Sequence, residues 1–389
     1  MKKFRRPDIF AIASLAFLAL ALASCKNSSD GADLFSEPAH SAGSVVVFYA
    51  PNGLGDASYM DLICYGAHKA ALERDFAVYD VSPSSWSDAK KELDSCVNFF
   101  CGSSGMKNGP ALFIFTDTEY LPHIQALKDT TLKGVSLLLV DSKETDLPHL
   151  STIFMPLYGA SYLAGAASRQ LLKDTPLPSG NKAPRVLAVL GNSVVQPLLD
   201  ALSGFAAGYG ADWNGKFYDY TLSENLYDDD GVFSSLGFAV LRLSTGAAGE
   251  ADPFGFDSAT RVYAQASLFQ KKAPFDLYFP VCGGSAHGLL RYNREKGKNS
   301  FYTVGMDSDF SVYTAQAPFS VVKHVDSAVY KCVAQWALGG FIPHHQVFNL
   351  ENSGTSLVIS EQYKERLSGA VSDALADAIL KEREYEASK

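Results

Sequence analysis

The polar side chains that could do chemistry in this chain lie where predicted strands end. Short β-branched or aromatic runs such as SVVVFYA at 44–50 predict buried strands, and helical stretches separate these runs. In open parallel sheets, ligands bind outside the carboxyl ends of the strands. The candidate residues therefore fall in the segments 52–59, 116–119, 191–196, 280–284 and 307–310.

The first of these segments is a turn that contains glycine. Gly53 and Gly55 are not followed by Lys-Ser/Thr and do not complete G-x-G-x-x-G, so neither nucleotide-binding loop is predicted. We expect the glycines to turn the chain tightly off the first strand, and Asp56 and Ser58 to cap the next helix. Tyr59 lies on the first helical turn, where its ring either faces a cleft or packs the helix start.

The alternation of strands and helices runs through the chain twice. Residues 44–157 have the rhythm of a parallel sheet covered on both faces, and the pattern restarts with an Ala- and Gly-rich helix. Two consecutive sets predict an α/β protein with two doubly wound domains. Residues 221–262 lack periodicity and are predicted as a solvated insertion, because the acidic run at 228–230 does not alternate as a calcium loop requires.

Composition and cysteine usage argue against several classes of function. The 389 residues are 47% hydrophobic and 19% charged, with a net charge of −9 and no basic stripe, which argues against nucleic-acid binding. Five cysteines follow Cys25; Cys96 and Cys101 are near enough for a local disulfide, and the alternative is a set of buried small side chains. No Cys/His spacing matches a zinc site and no G-x-S-x-G occurs, so no metal, cofactor or catalytic residue is predicted.

The N-terminus carries an export signal. Basic residues at 2–6 precede an apolar run at 9–22 that is too short to span a membrane, and LASC at 22–25 resembles the bacterial lipobox. The resemblance implies a signal peptide at 1–24 and diacylation of Cys25; the alternative is an ordinary signal peptide with a chance cysteine. Residues 25–42 would then form a lipidated, flexible tether that holds the body at the extracytoplasmic face of a bacterial membrane.

Five further segments occur in the same order as the motifs of a known family. They are GDASYM at 55–60, ASYLAGAA at 160–167, YFPVCGGSAHG at 278–288, VGMDSDF at 304–310 and FSVVKHVDSAVY at 319–330. Together they resemble the basic membrane protein (BMP) family, which consists of lipid-anchored substrate-binding proteins of ABC importers, typified by purine nucleoside receptors. The resemblance covers nearly the whole chain beyond Cys25.

This resemblance implies a type I periplasmic-binding-protein fold, in which a hinge joins two doubly wound parallel-sheet lobes and the ligand binds between them. Residues 43–157 with 319–389 would form the N-terminal lobe, and 158–318 the C-terminal lobe. The resemblance also implies a monomer that is not an enzyme and delivers a small molecule to an ABC permease.

The resemblance further assigns ligand-binding roles. Tyr59 and Phe279 would stack on a purine base, because a flat heterocycle gains energy from facing aromatic rings. Asp307 would accept the ribose hydroxyls beside Lys323, since an ionised carboxylate can accept both hydrogen bonds of a diol. Asp56 would lie near the base or the turn. The other predicted ligand-binding residues are Met60, Gly283, Gly284, Thr116 and Asp117.

Plainer roles remain open for several of these residues. Phe279 could pack in a core, Asp307 could cap a helix, and Lys323 could be a surface residue. Met60 stands where the family has a hydrogen-bonding asparagine, so a riboflavin-like ligand is the alternative to a nucleoside. A nucleoside-hydrolysing enzyme and a non-transport surface receptor are the alternatives from other functional classes.

Overall fold

The computed structural model describes residues 43–389 apart from 52, 57, 102–109, 128–131, 133, 221–236, 248–249 and 340–341. The signal peptide, the lipidation of Cys25 and the tether lie outside the described residues and stay predictions, as does the solvated insertion along 221–236. In the rest of the predicted insertion at 221–262, Phe238–Arg242 form a largely buried strand of the second sheet and a helix begins at Ala259, so the prediction is wrong there. No helix of the described part is long and apolar enough to cross a membrane.

The helices and strands follow the alternation that the sequence predicts. In chain order the strands are β1 (Ser44–Phe48), β2 (Ala77–Val81), β3 (Ala111–Phe115), β4 (Val135–Val140), β5 (Leu150–Phe154), β6 (Val186–Leu190), β7 (Tyr218–Asp219), β8 (Phe238–Arg242), β9 (Leu277–Val281), β10 (Tyr302–Thr303), β11 (Gly305–Asp307), β12 (Phe319–Lys323), β13 (His345–Val347) and β14 (Thr355–Ile359). The α-helices are α1 (Tyr59–Leu72), α2 (Trp86–Cys101), α3 (Leu121–Gln125), α4 (Tyr158–Asp174), α5 (Gln196–Tyr209), α6 (Ala259–Lys272), α7 (His287–Lys296), α8 (Val325–Gly339) and α9 (Lys364–Ala387).

The first lobe is built on a parallel sheet in the order β13-β5-β4-β3-β1-β2. Its inner strands β1 and β3 are buried along their whole length, as expected for a parallel sheet covered on both faces. Helices α1 and α8 pack on one face, where Ile63 and Ala67 join Ala328 and Cys332 in one core cluster.

The second lobe is built on another parallel sheet, in the order β10-β9-β6-β8-β7. Helices α4 and α5 pack closely against each other, because a Cβ on Gly208 would overlap the carbonyl oxygen of Tyr162. The prediction of an α/β fold with two doubly wound parallel sheets is confirmed.

A third sheet, in the order β11-β12-β14, joins the second lobe and corrects the predicted lobe boundary. Helix α8 and strand β13 pack with the first lobe, but β14 and α9 do not follow them. Leu367 and Ala378 of α9 complete the core of the second lobe, and the Glu382 carboxylate accepts the backbone N–H of Gly159 at 2.9 Å. The stretch 319–389 is therefore divided between the lobes and does not belong to the first one alone.

The five cysteines that the structure describes are free thiols. Cys96 is fully buried on α2 and Cys101 is half-buried at its end, so the local disulfide is not formed. Burial raises the pKa of Cys96 to about 12, which keeps its thiol protonated.

Candidate functional site

Side chains that follow strands of the first and third sheets meet at one place. They are Asp56, Tyr59, Asp117, Asp141, Asp307 and Lys323, which we call the strand-end cluster. Their proximity is reflected in the pKa of Tyr59. Burial raises this pKa well above its ordinary value, and the negative charges of the four aspartates raise it further. The cluster therefore lies at the carboxyl ends of strands, where open α/β sheets bind ligands.

Asp56 holds the turn after β1 in place. One carboxylate oxygen accepts the N–H of Ser58 at 2.8 Å, and the other accepts the N–H of Met60 at 3.0 Å, so Asp56 caps α1 as predicted. Gly55 adopts a φ of 89° and donates its N–H to Asp61 at 2.8 Å. Burial raises the pKa of Asp56, although these backbone hydrogen bonds oppose the shift.

Lys323 provides the positive charge that balances part of the cluster. Its ammonium pairs with the carboxylate of Asp141, and the side chains are only 5% and 15% exposed. The same nitrogen lies 5.1 Å from the centre of the Tyr59 ring. Such an arrangement fixes the tyrosine ring between a cation and the surrounding carboxylates.

Asp307 and Asp117 are carboxylates of the cluster with strongly raised pKa values. Burial raises the pKa of each to about 6, and for Asp307 the charge of Lys323 opposes the shift. Asp307 and Asp141 also adopt positive φ values of 65° and 60°. This conformation is uncommon for residues other than glycine and gathers at functional sites.

Three hydroxyls near the cluster are buried and have no hydrogen-bond partner among the described residues: Tyr59 Oη, Thr116 Oγ1 and Ser308 Oγ. A buried polar atom left unsatisfied costs about 1–3 kcal/mol. Thr116 directly follows β3 and Ser308 directly follows β11, so these atoms lie at the same strand ends. A polar ligand bound there would satisfy them.

The second lobe reaches the turn of the first lobe directly. His287, the first residue of α7, places its Nε2 atom 3.1 Å from the backbone oxygen of Asp56. Burial raises the pKa of Tyr313, and the charges of Asp61 and Asp56 raise it further. Residues of both lobes therefore border the strand-end cluster.

Phe256 lies across the carboxyl ends of β6 and β9. A Cβ on Gly191, which follows β6, would be 2.9 Å from the Phe256 ring, and one on Gly283 would be 3.3 Å from it. A Cβ on Gly284 would be 3.0 Å from the Phe256 backbone oxygen. The space beside Gly283 and Gly284, where the sequence predicts a ligand, is therefore occupied by the half-buried Phe256.

Two predicted ligand residues pack within or against hydrophobic cores. The ring of Phe279 is fully buried and stacks on Phe205 with centroids 4.1 Å apart, inside the core of the second lobe. Met60 lies beside Gly53, whose added Cβ would be 3.1 Å from its Cγ, and packs against the core of the first lobe. The structure does not bring Phe279 to the strand-end cluster.

Sequence reasoning missed Asp141 and Phe256, and it included Ser308 only as a member of the segment 307–310. Asp141 directly follows the apolar run VSLLLV, and Asp117 follows its own strand after one residue, so the same rule would have found Asp141. Ser308 follows the predicted residue Asp307. Phe256 gave no signal, because it lies in a segment without periodicity.

No protein-family model and no curated protein sequence matches the chain. Among solved structures, the chain is similar to an ABC transporter system solute-binding protein from Aeropyrum pernix K1. That similarity has a TM-score of 0.62 and 16% identity, and covers 88% of this chain and 90% of that one.

Two other solved structures have related architectures. A sugar transporter from Clostridium phytofermentans matches with a TM-score of 0.52 and 15% identity over 82% of this chain and 100% of that one. A transcriptional activator of the comK gene from Bacillus halodurans matches with a TM-score of 0.56 and 12% identity over 86% and 96%. At these identities the likeness shows the fold, a type I periplasmic-binding-protein fold, which hosts more than one function.

Proposed function

We propose that the protein is the solute-binding component of an ABC importer and captures a purine-nucleoside-like ligand between its lobes. The observation that carries this proposal is the strand-end cluster, in which carboxylates surround one aromatic ring beside buried hydroxyls without partners. The ligand would bridge the lobes, and hinge closure would present the closed form to a permease.

The charge balance of the cluster favours a ligand rich in hydrogen-bond donors. Lys323 pairs with Asp141, and Asp56 is occupied by backbone N–H groups. Asp307 then remains able to accept hydrogen bonds from a ligand, together with one oxygen of Asp117, whose other oxygen accepts the N–H of Glu119 at 2.8 Å. A ribose diol supplies two donors on adjacent carbons, which one ionised carboxylate can accept together.

The aromatic residues favour a flat ring on the same ligand. Tyr59 is held in the cluster by its position on α1 and by the ammonium of Lys323. We propose that Phe256 is the second aromatic residue that stacks on the ligand, a role that the sequence assigned to Phe279. Phe256 is suited to this role because it covers the ends of β6 and β9. Stacking of this kind contributes about 1–3 kcal/mol per base.

The acidic cluster also raises the question of hydrolysis, because a nucleoside-hydrolysing enzyme would use carboxylates to bind a metal or activate water. Among the described residues, however, the one group of three ligand atoms close enough to hold an ion does not include a strand-end aspartate. The positive charge of Lys323 also repels a cation at the strand-end cluster. We therefore propose binding without turnover.

Two further observations support transport over the other roles that this fold serves. The similar structure from Aeropyrum pernix is an ABC transporter solute-binding protein, whereas the comK activator shows that the fold alone does not decide. The lipobox-like LASC predicts an anchor at the extracytoplasmic face, which suits a receptor that feeds a permease. A riboflavin-like ligand uses the same aromatic and hydroxyl contacts and remains the second candidate.

The test is to identify what the protein carries and binds. The full-length protein is purified in mild detergent and denatured, and the released small molecules are analysed by absorbance and mass. Calorimetric titrations then compare purine nucleosides, riboflavin and simple sugars under the same conditions. We expect a nucleoside to bind and to be recovered unchanged.

Other outcomes contradict defined parts of the proposal. A yellow extract, or tighter binding of riboflavin, replaces the nucleoside with a flavin. If only simple sugars bind, the ligand has no flat ring, and that part of the proposal is wrong. Release of a free base from an added nucleoside overturns the pure binding protein.

A further inference from the structure

A second group of chemically reactive side chains lies on α1, away from the strand ends. Cys64 and His68 are one helical turn apart and therefore share a face of the helix. Asp80 belongs to the neighbouring strand β2. The thiol sulfur, an imidazole nitrogen and a carboxylate oxygen of these residues all lie within 4.8 Å of one another.

We propose that Cys64, His68 and Asp80 bind a zinc ion, or another transition metal of similar preference, and we call these residues the Cys-His-Asp site. Thiolate sulfur, imidazole nitrogen and carboxylate oxygen are the ligand types that zinc accepts in proteins. A thiolate and an imidazole together disfavour calcium and magnesium, which prefer oxygen ligands alone.

The carboxylate is oriented by a buried tyrosine. The Tyr49 hydroxyl donates to one oxygen of Asp80 at 2.8 Å, while the other oxygen lies 2.7 Å from Nε2 of His68. Tyr49 is fully buried, and its backbone oxygen accepts the Tyr120 hydroxyl at 2.7 Å. Partners of this kind fix metal ligands in position and tune their affinity.

The exposure of the site suits an ion that enters from solvent. The side chains of His68 and Asp80 are 33% and 27% exposed, and Cys64 is half-buried. Three protein ligands leave a fourth tetrahedral position for water or an external group. The ion would tie α1 to β2, because the ligands come from both elements. The competing explanation is a hydrogen-bonded His68–Asp80 pair with a neighbouring thiol and no metal.

Cobalt is the probe that distinguishes the two explanations, because it replaces zinc and is coloured. The reduced full-length protein is titrated with Co²⁺, and the near-ultraviolet band of a cobalt–thiolate bond and the visible bands of tetrahedral Co²⁺ are recorded. We expect both, saturating at one ion per chain, and we expect added Zn²⁺ to bleach them. Their absence overturns the proposal.

Matched variants assign the bands to this site. Cys64→Ser should abolish the thiolate band, whereas Cys101→Ser, which removes the other half-buried thiol among the described cysteines, should leave it unchanged. His68→Gln and Asp80→Asn should weaken Co²⁺ affinity at least tenfold. A band that persists in Cys64→Ser, or disappears in Cys101→Ser, contradicts the assignment.

A variant outside the ligand set keeps the test decisive if a ligand variant does not fold. Tyr49→Phe retains the ring and removes only the hydroxyl that orients Asp80. We expect it to retain the thiolate band and to bind Co²⁺ about 10–100-fold more weakly. Unchanged affinity would contradict the role of Tyr49 and the involvement of Asp80.

Discussion

Helix α1 borders two clusters that differ in the partners their polar atoms have. At its start, the strand-end cluster combines four aspartates with one lysine and contains buried hydroxyls without protein partners. About one and a half to two and a half turns further on, Cys64 and His68 lie beside Asp80 of β2, and the carboxylate is already hydrogen-bonded on both oxygens. The first cluster has acceptors that need donors from a ligand, and the second has ligand atoms suited to a cation.

This contrast shows that acidic residues alone do not indicate a metal site. The strand-end aspartates are spread around a tyrosine ring and one of them is neutralised by Lys323. The second cluster has only one carboxylate, but its three potential ligand atoms lie within 4.8 Å of one another. The spacing of ligand atoms and the nature of their partners therefore distinguish the proposed solute site from the proposed metal site.

Removal of the lysine should have the largest effect on stability. Lys323→Met leaves the buried Asp141 carboxylate unpaired, which should lower the free energy of unfolding by about 3–5 kcal/mol. Lys364→Met removes an exposed pair with Glu361 and should cost less than about 1 kcal/mol. Chemical denaturation of both variants measures the difference; equal losses would show that the pair is not effectively buried.

Removal of the aromatic wall should strongly affect ligand affinity. Tyr59→Leu should weaken nucleoside binding about 10–100-fold, because stacking is lost, while Tyr59→Phe keeps the ring, loses one hydrogen bond and should weaken binding about 2–10-fold. The control is Tyr65→Leu on the same helix, where the side chain is 52% exposed. Calorimetry compares the dissociation constants. If Tyr59→Leu binds like the parent, the ring does not contact the ligand.

The raised carboxyl pKa predicts a pH-dependent gain of stability in Asp307→Asn. Burial holds the pKa of Asp307 near 6, above its ordinary value of 3.8. Between these values the folded state binds more protons than the unfolded state, so the parent loses stability as pH rises through the window. The variant lacks this loss, and its advantage over the parent should grow by about 1–3 kcal/mol from pH 4 to 7.5.

Ligand-free unfolding at several pH values measures this difference, and contributions from Asp117 and the other carboxyl groups largely cancel in it. Asparagine tolerates the positive φ at this position, so the backbone need not change. Asp309→Asn, which keeps a cap for the N–H of Ser311, is the neighbouring control. A pH-independent difference for Asp307→Asn would mean that the carboxyl is not desolvated.

The smallest effect is expected when the Cys-His-Asp site is changed and nucleoside binding is measured. His68 follows Tyr59 by nine positions, which corresponds to about 13 Å along a helix. Substitutions this far apart usually act independently. His68→Gln should therefore change the nucleoside dissociation constant less than about twofold while it weakens Co²⁺ binding. A tenfold change would show that the clusters are coupled through α1.

The strand-end rule could predict much of the candidate site because it depends on short-range pattern. Asp56, Asp117 and Asp307 each end or follow an apolar run, and the structure brings all three to one place. Asp141 satisfies the same rule. The alternation of strands and helices likewise predicted both parallel sheets, since the period of apolar residues is local.

The remaining features depend on contacts that local pattern does not encode. Strand β9 is apolar on both faces, so the sequence could not tell that Phe279 points to a core cluster with Phe205. The amphipathic α9 could pack on either lobe. The Cys64–His68 spacing on one helix face becomes a possible metal site only because β2 places Asp80 beside it.

The most direct test of the account is the nucleoside affinity of Asp307→Asn at neutral pH, with Asp309→Asn as the matched control. Calorimetry on the full-length proteins gives the dissociation constants. Loss of a hydrogen-bond acceptor that is charged costs about 1.5–3 kcal/mol, so we predict binding about 10–100-fold weaker in Asp307→Asn and unchanged in Asp309→Asn. Equal affinities in the parent and Asp307→Asn would contradict the account.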